Sequence, residues 1–418
     1  MSQPLIVWYQ QQRVGRLLVT PGRQMAFTYD GDWLSDGWPI SCSLPLTETG
    51  DFLPPDMRGH HFFANLLPEG GARDRLVRRL GIADDDFLLL EKLGGDCAGA
   101  LQLLPESETP VQASDRYRPL DNARLVQAIR AGHGQWLDGD APPRLSLAGA
   151  QDKLAVRAEL DGNRWTLFLP EAGAASTHIL KLPVQDLRNV PLFEAYTTFL
   201  ATQLGLPAVP VQLFDMDGEI LSISTRYDRQ QQDNNVRRLH QEDLCQAQGL
   251  SRAEKYRHSP TPFPALAELL REHSTQPARD IQTLVNWQTF NALVGNADGH
   301  LKNLSLLAVP GGWQLAPWYD LVCTLAIPRV SHRMALPIGG KDDPQNLHRN
   351  HWETFASALG VSSRLVLRLI LNQAERLRDN ADMWLAEFQH QYGEFAALQQ
   401  VQAVVKRQSN KALHDWVK

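Results

Sequence analysis

Two spacings of hydrophobic positions divide this chain into strands and helices. Leu5-Ile6-Val7-Trp8-Tyr9 and the segment from Gln12 to Leu18 read as paired strands. Asp74 to Leu80, preceded by Pro68-Glu69-Gly70-Gly71, reads as a basic amphipathic helix, and the polar stretch from Glu106 to Pro110 and onward as a linker. Leu154 to Glu159 turns at Asp161-Gly162-Asn163 into Arg164 to Leu169, a hairpin pattern. Then come a strand-like run over 177–183, a helix over Val190 to Leu204, and a hairpin from Val209–Phe214 to Ile220–Tyr227. Ile281, Leu284, Trp287, Phe290, Leu293 and Val294 recur at helical spacing. Beyond them, Leu304 to Val309, the turn Pro310-Gly311-Gly312 and Trp313 to Leu315 predict one more hairpin. From Ser362 the chain reads as mostly helical, with Leu365, Leu367, Leu369 and Ile370 on the first segment and its Arg and Lys on solvated faces.

The chemistry concentrates in Gly295-Asn296-Ala297-Asp298-Gly299-His300-Leu301-Lys302-Asn303 and in Asp320. Phosphoryl transfer needs a carboxylate to orient the attacking hydroxyl and oxygen ligands to hold magnesium on the nucleotide phosphates. Asp298 and Asn303 have the catalytic-loop spacing of kinases, and the predicted hairpin carries Asp320 back beside Asn303. Asn-Ala-Asp-Gly is also ordinary turn chemistry, which is the alternative for the loop taken alone. Upstream, Ser146-Leu147-Ala148-Gly149-Ala150-Gln151-Asp152-Lys153 is a small-residue stretch whose backbone N–H groups suit phosphate oxygens. Lys181 stands inside an otherwise apolar strand, Thr177-His178-Ile179-Leu180-Lys181-Leu182-Pro183. A buried ammonium calls for an anion beside it; an edge strand with the lysine reaching water is the alternative. Glu194, on the following helix, is either its partner or an exposed helix residue.

Composition narrows the picture further. At about 100–200 residues per domain, 418 residues suggest two or three domains, and 43% hydrophobic content is that of a globular protein. A formal charge of -6 argues against a surface devoted to nucleic acid. No apolar run approaches the roughly 20 residues of a membrane span, and Met1-Ser2-Gln3-Pro4 opens no signal peptide, so a cytoplasmic location is expected. Cys42, Cys97, Cys245 and Cys323 form no Cys-x-x-Cys pair and read as buried thiols.

Loop and hairpin, lysine strand, helix, further hairpin, helices, catalytic loop, hairpin and metal aspartate follow one another in the order of a two-lobed kinase. Thr225, Arg226 and Tyr227 fall where the lobes connect. The runs over 146–153, 177–183 and 295–303, with Asn65-Leu66-Leu67-Pro68-Glu69-Gly70 and Asp96-Cys97-Ala98-Gly99-Ala100, resemble the signatures of HipA toxins, the serine/threonine kinases of HipBA toxin–antitoxin modules. The resemblance implies an α+β, two-lobed protein-kinase-like fold of the PI3/4-kinase type, with an extra N-terminal α/β subdomain and an all-helical C-terminal lobe. It divides the chain into 1–110, the N-terminal subdomain; 111–230, the N-lobe with the glycine-containing loop and ATP lysine; and 231–418, the helical C-lobe with the catalytic loop and metal site.

Residue by residue, the resemblance makes Asp298 the catalytic aspartate and Asn303 and Asp320 the magnesium ligands. ATP would be held by Ala148, Gly149, Ala150, Gln151, Asp152 and Lys153 of the loop, by Lys181, and by Thr225, Arg226 and Tyr227. His300, Lys302, Asn303, Tyr319 and Asp320 complete that set, and Ser146 matches an autophosphorylated serine that switches activity off. Thr225 departs from the acidic residue that relatives carry there, which puts the adenine-side contacts in doubt. The implied substrate is an aminoacyl-tRNA synthetase, the glutamyl enzyme foremost, with growth arrest and persistence as the consequence. The implied partner is a HipB-like helix-turn-helix antitoxin, through which operator DNA would chiefly be reached. A small-molecule kinase of the aminoglycoside-phosphotransferase type and a non-catalytic co-repressor subunit are the rival readings.

Overall fold

A computed structural model describes residues 3–111, 116–131, 153–162, 164–171, 173–183, 187–232, 235–256 and 262–417. The chain forms two compact units: Met1–Gln185 with Asp215–Glu254, and Asp186–Phe214 with Lys255–Lys418. These units do not follow the segments 1–110, 111–230 and 231–418, because the chain leaves the first unit at Asp186 and returns to it at Asp215. The residues expected to form the loop above the phosphates, Ala148 to Asp152, and the expected modification site Ser146 lie outside the described residues.

In the first unit β1 (Leu5–Tyr9), β2 (Gln12–Val19), β3 (Met25–Tyr29), β4 (Asp51–Phe52) and β5 (Leu101–Pro105) make one sheet in the order β4-β3-β2-β1-β5. All its pairings are antiparallel, with Leu5 opposite Leu17 and Leu17 opposite Phe27. The inward positions Val7, Leu17, Phe27 and Phe52 share one core with α1 (Gly31–Asp36), α2 (Arg58–Ala64) and α4 (Asp86–Leu93) through Trp33, Phe62, Phe63 and Leu90, and α3 (Gly70–Leu80) packs Leu76 and Val77 against it. Each such fully buried side chain contributes roughly 1.5–3 kcal/mol. α3 begins at Gly70, ahead of the expected Asp74, and ends where Gly81 takes a left-handed backbone.

The second sheet of this unit contains β6 (Tyr117–Pro119), β7 (Lys153–Asp161), β8 (Arg164–Pro170), β9 (His178–Lys181), β10 (Val211–Met216) and β11 (Glu219–Thr225) in the order β10-β11-β9-β7-β8-β6. Helix α5 (Asn122–Arg130), capped by Asp121, follows β6. Since β9 is a central strand and Lys181 is only 8% exposed, the lysine does not snorkel from an edge. A hairpin of β12 (Arg229–Gln232) and β13 (Asn235–Arg238), then β14 (Gln241–Asp243) and the short α7 (Leu244–Ala247), complete the unit.

Helices dominate the second unit. They are α6 (Val190–Gln203), α8 (Phe263–His273), α9 (Pro277–Val294), α10 (Arg349–Leu359), α11 (Ser363–Tyr392) and α12 (Leu398–Lys411), with one hairpin of β15 (Ser305–Val309) and β16 (Gly312–Leu315). Trp287 and Phe290 of α9, Trp352 and Phe355 of α10, Ile370 of α11 and Val401 of α12 are buried. α9 is buried on nearly every side, as expected of a helix enclosed by others. Among the described residues no helix is long and apolar enough to cross a membrane.

A buried ionic network ties the two sheets of the first unit together. Arg226, just past β11, donates to Asp228 (Nε to Oδ1 2.9 Å, Nη2 to Oδ2 2.7 Å), to Ser176 Oγ and to the Cys97 carbonyl. Arg229 Nη2 donates to Asp96 Oδ1 at 2.7 Å, and Ser176 Oγ to Asp96 Oδ2 at 2.6 Å. Burial alone would raise the Asp96 carboxyl, but Arg229, Arg226 and Arg238 outweigh it and hold it well below the usual carboxylate range. Its stabilisation is therefore complete above the ordinary carboxylate pKa and is lost only as the solution becomes strongly acidic. Asp96→Asn leaves these arginines short of a counter-charge and should cost about 3–5 kcal/mol. Urea unfolding at neutral pH measures this, and a shift below about 1 kcal/mol would show the network to be dispensable.

Candidate active site

The second unit builds its site from the end of α9. Gly295 terminates the helix at φ +71°, and a Cβ there would stand 2.6 Å from Val404 Cγ1. The chain then bonds to itself and to its surroundings. Asn296 Nδ2 donates to Asn291 Oδ1 (2.9 Å), the Asp298 N–H to Asn296 Oδ1 (3.1 Å) and the Ala297 N–H to Thr324 Oγ1 (2.8 Å). On the far side the Ala335 N–H donates to the Ala297 carbonyl at 2.8 Å. Gly299 is required by space, since a Cβ would meet Asn291 Nδ2 at 2.9 Å and the Trp287 ring at 3.1 Å. A short 3-10 turn, Leu301–Asn303, brings the Asn303 amide back so that Nδ2 donates to the Asp298 carbonyl at 3.3 Å. This loop is pinned at many points, unlike a plain surface turn.

The hairpin pairs Leu306 with Leu315 and Val309 with Gly312, turning at Pro310-Gly311. It delivers Tyr319, whose hydroxyl donates to the Lys302 carbonyl and bonds Ser305 Oγ, both at 2.7 Å. The next residue, Asp320, has φ +60°. A non-glycine residue held there is uncommon and marks a position fixed by its surroundings.

The Asp298 carboxylate is open to solvent on one side and crowded by protein on the others. That desolvation, with the Asp320 carboxylate, raises its pKa above the ordinary value, while the Tyr256 hydroxyl and Lys255 oppose the rise. Tyr256 donates to Asp298 Oδ1 at 2.9 Å and sets its ring edge-on to His300, with centroids 5.1 Å apart. His300, Lys302 and Asn303 are buried. Two repelling carboxylates, with Asn303 Oδ1 still free to accept because its amide nitrogen makes the bond to Asp298, fit a hard divalent cation with oxygen ligands. Among the described residues no group of three or more His, Cys, Asp or Glu gathers around one point, so a cation here would also draw on ligand phosphate oxygens.

In the first unit, Lys181 lies directly opposite Lys153 on β7 and Ser222 on β11. Directly paired residues share a sheet face with Cβ atoms about 4.5–5.5 Å apart, so two ammonium-bearing side chains and a hydroxyl line one row. Thr225 is exposed opposite His178, and the Tyr227 hydroxyl bonds Gln241. The Arg226 guanidinium is engaged by the Asp228, Ser176 and Cys97 network. Glu194, in α6 of the second unit, is buried rather than exposed.

Sequence reasoning missed Tyr256 and Ser222. Tyr256 lies 42 positions before Asp298 and carries no motif, and only the fold brings them together.

An α+β protein with a pinned Asp-x4-Asn loop, a hairpin-delivered aspartate and a central-strand lysine has the features of a phosphotransferase. The chain belongs to the HipA family: its residues 145–381 match the HipA-like C-terminal domain and residues 5–104 the HipA N-terminal domain. It is 38% identical over 399 residues to Y4mE of Sinorhizobium fredii, covering 91% of this chain and 93% of that protein. To the serine/threonine-protein kinase toxin HipA of Shewanella oneidensis it is 29% identical over 368 residues, covering 84% and 82%. The fold is that of the Shewanella oneidensis HipA solved with HipB and operator DNA, at a TM-score of 0.82 and 26% identity over 98% of this chain and 97% of that one.

Asp320→Asn, which keeps a side chain tolerant of the left-handed backbone, should lower the Asp298 pKa in metal-free protein by removing the neighbouring charge. Carbon-13 NMR titration of the Asp298 carboxyl reads this, and an unmoved titration would mean that the two carboxylates do not sense each other.

Proposed function

We propose that this protein is a protein serine/threonine kinase that transfers the γ-phosphoryl group of ATP and acts as the toxin of a toxin–antitoxin pair. The observation that supports the reading is the Asn303 amide bonded back to the Asp298 carbonyl, with the Asp320 charge raising the Asp298 pKa. Asp298 accepts the proton of the attacking hydroxyl as its oxygen bonds the γ-phosphorus and ADP departs. Asn303 and Asp320 would hold a magnesium ion, which would supply charge neutralisation at the phosphate oxygens. Lys181 and its cross-strand neighbour Lys153 are the residues of the first unit suited to phosphate oxygens. In this reading segment 111–230 serves the nucleotide and segment 231–418 the chemistry.

Relatives support the partner. The similar Shewanella oneidensis protein is named a kinase toxin, and its solved complex includes HipB and operator DNA. That supports a HipB-like antitoxin as partner for this chain, with DNA reached through it, and a place in the cytoplasm. An aminoacyl-tRNA synthetase, the glutamyl enzyme first, is the substrate we assign, with growth arrest and persistence as the outcome. Ser146 is the self-modification site, since a phosphate there adds roughly -1.5 to -2 charges beside the phosphate-binding loop.

Purified protein incubated with labelled ATP, magnesium and a cell lysate should label one acceptor protein. Asp298→Asn and Asp320→Asn should each lower that labelling by about 100-fold or more while unfolding at the wild-type temperature. Labelling at the wild-type rate in either variant would overturn the assignment. Lys181→Ala should weaken ATP binding in calorimetry, and unchanged affinity would remove the lysine from the nucleotide site. Mass spectrometry after prolonged ATP treatment should find phosphate on Ser146 in wild type and none there in Ser146→Ala; an unmodified wild-type Ser146 would rule out the switch.

A further inference from the structure

The geometry points to Tyr256 as a positioning residue for Asp298, an inference that rests on the kinase reading and adds a residue to it. A general base must present one carboxylate oxygen to the acceptor hydroxyl, within about 2.6–3.2 Å, and must not rotate away from it. Backbone contacts fix where the Asp298 main chain lies but leave the side-chain torsions free. The Asp298 N–H is held by Asn296 and its carbonyl by Asn303, and neither bond reaches the carboxylate.

Tyr256 supplies the missing restraint. Its hydroxyl donates to Oδ1 at 2.9 Å, which fixes the carboxylate plane and turns Oδ2 to the other side. The tyrosine is itself held in place by several contacts. Its ring meets His300 edge-on at 5.1 Å and an interplanar angle of 79°, and the Lys255 ammonium lies 5.1 Å from the ring centroid. The Leu301 N–H donates to the Lys255 carbonyl at 3.3 Å, tying the segment that carries Tyr256 to the catalytic loop. Loop and tyrosine are therefore registered twice, once through backbone and once through the phenol.

Tyr256→Phe isolates the hydroxyl, because the ring keeps its contacts with His300 and Lys255. At saturating magnesium-ATP with a bacterial cell lysate as acceptor, the variant should label acceptor protein about 10–100-fold more slowly, the usual loss when an orienting partner is removed. Its calorimetric affinity for magnesium-ATP and its unfolding temperature should stay at wild-type values. Tyr256→Leu, which also loses the ring, should be slower still. A wild-type labelling rate in Tyr256→Phe would reduce the residue to packing and overturn the inference. A faster rate would overturn it too, since the hydroxyl would then be competing with the acceptor. Asp298→Asn run alongside separates the two levels: active Asp298→Asn sinks the kinase reading, whereas dead Asp298→Asn with wild-type Tyr256→Phe sinks this inference alone.

Discussion

Like charges held side by side are the constraint around which both units are built. In the first unit Lys181 is fixed opposite Lys153 on neighbouring central strands. In the second, Asp320 lies close enough to Asp298 to raise its pKa. Like charges set directly across a sheet are destabilising, and a carboxylate pair in a crowded site resists double ionisation. Under the proposed kinase function, phosphate oxygens would sit by the lysines and a divalent cation by the carboxylates.

Holding such groups in place requires rigid surroundings, and the network around the catalytic loop supplies them. Asn291 anchors Asn296, which in turn holds the Asp298 N–H. The close approach of Gly299 to Trp287 and Asn291 leaves no room for a side chain. Asp320, just past the hairpin, takes a left-handed backbone that aspartate tolerates. The first unit uses charge instead: the arginines around Asp96 join its two sheets and engage the Arg226 guanidinium.

Much of this was legible in the residues themselves. The helix before the catalytic loop, the hairpin after it and the paired N-terminal strands lie within a few residues of where periodicity predicts them. Their signals are local: apolar spacing, a Pro-Gly turn, a glycine at a helix end. The Asp298-to-Asn303 spacing is equally local, since one short turn closes it. Where expectation and structure part, the cause is non-local. Arg226 sits in a run that reads like a ligand contact, yet its guanidinium is satisfied by Asp96 and Asp228, and Asp96 lies far away in sequence.

Sequence by itself thus determined the elements, their order and the residue types that phosphoryl transfer needs, because hydrophobic period, turn chemistry and short spacings act over a few positions. Tertiary structure decided that Lys181 lies on a central strand opposite a second lysine and that Asp298 and Asp320 repel each other. It also decided that Tyr256 donates to the Asp298 carboxylate and that the Arg226 guanidinium joins a buried network. Strand order, electrostatic neighbours and a hydrogen bond between residues 42 positions apart arise only when distant segments pack. No local pattern encodes which partner a buried charge will find.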